Sequence, residues 1–149
     1  MQLRWHERTF GELSIVDLYA IIELRERVFI VERSCAYLEA DGLDRVSRHL
    51  WAEPNTPEPR DDIVAYLRIL PAGARFPEVS LGRIATAPEV RGKGLGRTLV
   101  RRGLDAVGPV PVRTSAPAHL EPFYTQLGFR RAREPVAEGR ASRIEMLRA

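Results

Sequence analysis

The stretch Arg91-Gly92-Lys93-Gly94-Leu95-Gly96 puts three glycines and two cations into six residues, and Lys93 is the only lysine among 23 basic residues. Glycine carries no Cβ, so a ligand can come close to the main chain. The first turn of a helix leaves N–H groups unpaired, and these favour an anion. Arg91, Lys93 and Arg97 all fall around a predicted helix start, where each cation is disfavoured by roughly 0.3–1 kcal/mol. Glu89 is the one nearby offset. Such a cluster suits a bound polyanion whose phosphate oxygens are cradled by the amides of 92–97. It is not a Walker loop, because Lys93 is followed by Gly94 rather than by serine or threonine. Nor is it a dinucleotide fingerprint. After Gly92 and Gly94 the third glycine position holds Arg97, and no ribose-binding acid follows at the right distance. Six residues alone are equally a glycine-rich turn with solvated arginines.

Other chemistries find less support. Cys35 is the lone cysteine, which rules out an internal disulfide and a thiolate metal cage. His6, His49 and His119 lack zinc-site spacing, so no metal is expected. The net charge of +3 comes from arginines spread along the chain rather than gathered into a tract. That pattern suits solubility and attraction for small anions, and no nucleic-acid partner is expected. With 44% hydrophobic and 29% charged residues, the 149-residue chain reads as one globular domain over 1–149. No apolar run approaches the ~20 residues that cross a bilayer, and no membrane partner is expected. The opening segment MQLRWHERTF lacks the apolar core of a secretory signal, so the expected location is cytoplasmic.

The elements that must position the glycine stretch follow from periodicity. Residues 2–8 suit a strand. Ser14 and Asp17 form a capping pair, and Leu18, Ile21, Ile22, Arg25, Val28 and Phe29 recur at helical spacing through 14–32. Residues 33–45 are polar and turn-rich, a loop or short helix. Strands are predicted at 47–53, 63–70 and 79–87, a helix at 96–107 weakened by Gly103, and a strand at 110–116. A short helix follows at 119–129, stopping at Gly128, and a last strand at 143–147. The order is mixed α/β, with antiparallel strands leading into a strand–helix–strand unit.

Two motifs in that order carry a family resemblance. "RIATAPEVRGKGLG" followed by "HLEPFYTQLGF" resembles the GNAT N-acetyltransferase superfamily, and the segment "LYAIIELRERVFIVERSCAYLEADGLD" with "RHL" resembles its ElaA-like subfamily. The resemblance runs from about residue 3 to 147. It implies the acyl-CoA N-acyltransferase fold, an α/β fold with a mixed sheet splayed between two parallel strands and flanked by helices. It further implies acetyl-CoA as cofactor, held by Ile84, Ala85, Thr86, Arg91, Gly92, Lys93, Gly94, Leu95, Gly96, Arg97 and Phe123, with Tyr124 as general acid for the departing thiolate. An asparagine common in the family ahead of the "FY" helix is missing; Pro117 stands in that region, without an N–H or an amide side chain.

The implied reaction is direct attack by an amine on a thioester, with positioning supplying several kcal/mol and a backbone N–H near residue 85 facing the carbonyl oxygen. Glu32, Glu39, Asp41, Asp44, His49 and His119 are the candidate bases, with a water chain to solvent as the alternative. A small-molecule or peptide amine is the expected acceptor, and a homodimer stays open. Two other readings stay open. Phe29-Ile30-Val31-Glu32 faintly matches autoinducer synthases, which are acyltransferases on a similar fold. A non-enzymatic CoA- or nucleic-acid-binding module is the other.

Overall fold

The computed structural model describes residues 2–57, 62–132, 136–138 and 141–149. Strand β1 (Leu3–Thr9) leads to helix α1 (Ile15–Arg25), which continues as a π-helical segment over Glu26–Glu32. Strands β2 (Arg48–Pro54), β3 (Ala65–Leu70) and β4 (Val79–Thr86) follow, then α2 (Leu95–Val107), β5 (Val112–Pro117) and α3 (Glu121–Gln126). The chain ends with β6 (Arg130–Arg131), β7 (Val136–Glu138) and β8 (Ala141–Arg148). One mixed sheet runs β1-β2-β3-β4-β5-β8-β6, with β7 paired to β8.

Local chemistry explains most boundaries. Ser14 Oγ accepts from the Asp17 N–H at 3.0 Å while the Asp17 carboxylate accepts from the Ser14 N–H at 3.3 Å, so two orphan donors are satisfied at the start of α1. Past Arg25 the helix widens to π geometry, which the periodicity of 14–32 did not distinguish from an ordinary α-helix. The loop of 33–45 closes with a 3₁₀ turn at Leu43–Val46. The predicted strand at 110–116 begins instead at Val112, after Gly108 and two prolines. The short strands β6 and β7 were absent from the sequence reading, because β6 spans only two residues and β7 three.

Strand register sorts the sheet into two faces. Tyr66 and Arg68 pair with Trp51 and His49, and the guanidinium of Arg25 at the end of α1 lies 5.6 Å over the Tyr66 ring; Ile21 and Leu24 of α1 and Val28 and Phe29 of the π-helical segment are buried. Leu67 faces the other way, toward α2. A Cβ on Gly103 would stand 3.0 Å from Leu67 Cδ2 and 3.4 Å from Leu81 Cδ1. Gly103 thus gives up helix propensity so that α2 can sit close to the sheet. Leu99 and Val100 of α2 are also buried, which anchors the helix that follows the glycine stretch.

Strands β4 and β5 are the parallel pair. They are in register at Val79↔Val112, Ser80↔Arg113 and Leu81↔Thr114, and the pairing ends there. Beyond it β4 continues to Thr86 and β5 to Pro117 without a partner between them, so the sheet opens as a V. β5 is held from the other side by β8, from Val112↔Arg148 to Pro117↔Arg143.

Candidate active site

The V and the glycine stretch meet at one end of the sheet. After Thr86 the chain makes a 3₁₀ turn at Pro88–Val90 and enters α2 at Leu95. Gly92 and Gly94 both lie in the left-handed region, at φ +86° and +82°, where a side chain would be strained. Gly94 caps α2 and its carbonyl accepts from the Thr98 N–H at 3.1 Å. The N–H groups of Leu95, Gly96 and Arg97 therefore have no partner inside the helix. Nothing lies within 4 Å of the space a Cβ would take at Gly92 or Gly94. These are the properties of an anion cradle, and they fit a pyrophosphate.

The predicted residues converge on this end. Arg91 donates to the Thr86 carbonyl at 2.8 Å and pairs with Glu32 of the π-helical segment at 2.5 and 2.8 Å. The Glu32 carboxyl is held below its usual range by that guanidinium. The Arg91 side chain thus fastens the loop to β4 and to the first helix. Arg97 donates to Gln126 Oε1 at 2.5 Å, tying the start of α2 to α3. A Cβ on Gly96 would meet the Phe123 ring at 3.8 Å, so this glycine and the aromatic share a boundary. Lys93 is exposed and makes no ion pair among the described residues. Ile84 and Thr86 are half-buried, and Ala85 is buried, on the arm of β4 that diverges from β5.

Tyr124 is 3% exposed and packed edge-on between Phe123 and Phe129, at 5.0 and 5.6 Å between ring centroids. Burial pushes its phenol up to about 12, against smaller opposing pulls from Arg143 and Arg33. It is therefore protonated throughout the neutral range, able to donate its proton but not to act as a phenolate base. Its hydroxyl makes no hydrogen bond among the described residues.

The carboxylates considered as bases are all in ion pairs. Glu39 holds Arg25 at 2.8 Å and also pairs with Arg83. Asp41 holds Arg68 at 2.6 Å, and Asp44 holds Arg25 and Arg68 at 2.7 and 2.9 Å. The Arg68 hydrogen bonds and charge hold Asp41 well below the usual carboxylate range; Asp44 is also lowered, its two arginines outweighing an opposing push from burial. His49 is fully buried, and burial lowers its pKa. One ring nitrogen contacts the Asp44 carbonyl at 2.9 Å and the other the Tyr66 hydroxyl at 2.7 Å. A carbonyl only accepts, so Nε2 carries the hydrogen and Nδ1 accepts from Tyr66. His49 has no lone pair left for a substrate. His119 is exposed on the short turn before α3.

Three residues have roles here that the sequence did not assign. Gln126 and Arg83 fall inside the HLEPFYTQLGF and RIATAPEVRGKGLG segments without a role of their own, and Glu32, a candidate base and the end of the Phe29–Glu32 match, is the partner of Arg91. Among the described residues no group of three His, Cys, Asp or Glu is arranged for a metal ion, and no helix is long and apolar enough to cross a membrane.

Comparison with known proteins fits this geometry. Residues 46–131 match the model of the acetyltransferase (GNAT) domain. Protein ElaA of Escherichia coli is 34% identical over 152 residues, spanning 98% of this chain and 96% of that one. Its crystal structure superposes with a TM-score of 0.90 over 99% of this chain and all of that one. An acyl-CoA N-acyltransferase from Pseudomonas aeruginosa, 36% identical, superposes with a TM-score of 0.91 over 99% of this chain and 100% of that one. A GNAT family acetyltransferase from Elizabethkingia anophelis, solved with acetyl-CoA bound, is 14% identical and shares the fold, with a TM-score of 0.67 over 98% of this chain and 97% of that one.

Proposed function

The chain belongs to the GNAT acetyltransferase family, and from that premise we propose that residues 1–149 act as one domain that moves an acetyl group from acetyl-CoA to an amine. The observation that carries the reading is the cradle of unpaired amides at the start of α2, set against the open arm of β4 and the buried Tyr124. Acetyl-CoA supplies the activated acetyl group and a pyrophosphate that matches the cradle.

The chain's own residues then have separate tasks. The amides of 92–97 bind phosphate oxygens, and Arg91 and Arg97 hold the loop in place through Glu32, Thr86 and Gln126. The free edge of Ile84, Ala85 and Thr86 offers backbone groups to the pantetheine amides, as an added strand would. A backbone N–H near Ala85 faces the carbonyl oxygen as it gains charge. Tyr124 donates its proton toward the departing sulfur. A thiol titrates near ~8.5, well below the phenol at about 12. Tyr124 therefore stabilises the thiolate mainly through a hydrogen bond, and full transfer completes only as solvent resupplies the proton. With Glu32, Glu39, Asp41, Asp44 and His49 all engaged, the proton of the attacking amine leaves through water or to the exposed His119. The acceptor is a small-molecule or peptide amine.

Acetyl-CoA binding by calorimetry tests the site. The wild type is expected to bind, and Gly94→Glu to lose at least about 100-fold, or 2.7 kcal/mol. At φ +82° glutamate is strained, and its carboxylate lies beside the cradle. Gly94→Asn, which tolerates that backbone, should keep most of the affinity. No binding by the wild type would overturn the function, and undiminished binding by a folded Gly94→Glu would overturn the site.

A further inference from the structure

Arg83, the first residue of the RIATAPEVRGKGLG segment, combines two features that the motif does not explain. It is one of two non-glycine residues among the described ones with a positive φ, at +50°. It also sits in a β-bulge: the β3–β4 register jumps from Arg68↔Gly82 to Tyr66↔Ala85, so Arg83 and Ile84 together oppose Leu67. A bulge of this kind bends its strand and re-aims the residues that follow. Those residues are Ile84, Ala85 and Thr86, the free arm of the V.

A left-handed conformation for an arginine persists only where surrounding contacts enforce it. The contacts here are specific. The Arg83 guanidinium pairs with the Glu39 carboxylate, donates to the Glu39 carbonyl at 2.9 Å, and reaches Asp41 Oδ2 at 3.4 Å. It also lies 5.7 Å over the Tyr37 ring. Glu39 and Asp41 are fixed in turn by Arg25 and Arg68, whose side chains are 1% and 0% exposed. The bulge is thereby tied, through two carboxylates, to cations anchored in the core.

We infer that Arg83 is a positioning residue: its tether to Glu39 and Asp41 holds the β4 bulge so that the backbone of 84–86 is aimed at the thioester. The inference rests on the acetyl-CoA reading above. Phosphate binding is carried by a different segment, 92–97, so the two contributions are separable. The Arg83 tether governs how the thioester is polarised, and the cradle governs whether the cofactor stays.

The test compares wild type with Arg83→Gly, which accepts the same φ without strain but has no tether, and with Arg83→Lys, which keeps the charge but loses the fork. Calorimetry gives the acetyl-CoA affinity. The carbonyl resonance of [1-¹³C]acetyl-CoA at saturation reports polarisation without needing an acceptor. Amide hydrogen exchange of the peptide covering 82–87 reports the bulge. For Arg83→Gly the expected results are an affinity within about threefold of wild type, a binding-induced carbonyl shift at least halved, and at least tenfold faster exchange at 82–87 with 63–70 unchanged. Arg83→Lys should fall between, and it carries the test if the glycine variant does not fold. An unaltered carbonyl shift or unaltered exchange at 82–87 overturns the proposal. So does a tenfold loss of affinity with the carbonyl shift intact, which would make Arg83 a binding residue. Failure of the acetyl-CoA reading itself shows separately, as absence of binding by the wild type.

Discussion

The two faces of the β4 region use similar polar material to opposite ends. On the α1 side, Arg25, Arg68 and Arg83 meet Glu39, Asp41 and Asp44, and every charge has an opposite charge within reach. At the start of α2, backbone donors are left unpaired and the neighbouring cations are partly committed elsewhere. The first region holds more charge and more burial than the second, yet it is closed. A cluster whose charges pair with one another is scaffold, even though Arg68 Nε and Arg83 Nε in it make no well-aligned hydrogen bond, and the ligand site is marked instead by consecutive backbone donors open at a helix start. By that criterion the acidic residues of 32–44 are poor bases, and the modest glycine turn is the binding surface.

The sharpest way to break this contrast is to open the closed region. Arg68→Met should destabilise the fold by about 3 kcal/mol, because Asp41 and Asp44 lose a buried partner. Urea unfolding measures it, and acetyl-CoA affinity of the folded fraction should hold within threefold. A large loss of affinity with little loss of stability would show that the ion-pair region belongs to the ligand site. Next in size is Tyr124→Phe. Its hydroxyl has no hydrogen-bond partner among the described residues, so stability should be unchanged while kcat falls about 100-fold. A free-thiol assay with the best amine from an acceptor screen gives the rate. An unaltered kcat would remove Tyr124 from the chemistry.

The smallest effect concerns pH. Burial lowers the pKa of His49 in the folded state, so below about 6.5 the unfolded chain binds more protons than the folded one. Stability should therefore fall as pH drops below about 6.5, by at most roughly 1.4 kcal/mol per pH unit. His49→Gln should flatten that slope between about pH 6.5 and 5. A second loss should set in below about 3.9, as Asp41 and Asp44, whose folded pKa values are depressed, must take up protons. Thermal melts across pH for both proteins separate the two stages. A wild-type slope that survives in His49→Gln would assign the effect elsewhere.

Much of this was legible from residue order. Local rules act within a few residues, so Ser14 and Asp17 announced a helix start, and Gly92 through Gly96 announced a turn into α2. The parallel relation of β4 and β5 was implied by the family resemblance. The partners of Arg91 and Arg97 were not legible. Glu32 lies 59 positions from Arg91, and Gln126 lies 29 from Arg97. Arg25 is the plainest case. It occupies an apolar slot in the helical pattern, and its burial makes sense only because Glu39 and Asp44 fold back over it.

The sequence by itself determined the element order, the anion-seeking turn and the aromatic helix that follows it, because each depends on contacts between near neighbours or on backbone freedom at single glycines. Only the tertiary structure decided which charges are spent and which are available. Two ions pair or not according to where the chain brings them, and a bulge is held or released according to what its side chain finds across the fold. Arg83 shows the limit: the opening residue of a motif in the sequence, it becomes a tether only once the loop of 37–41 closes over β4.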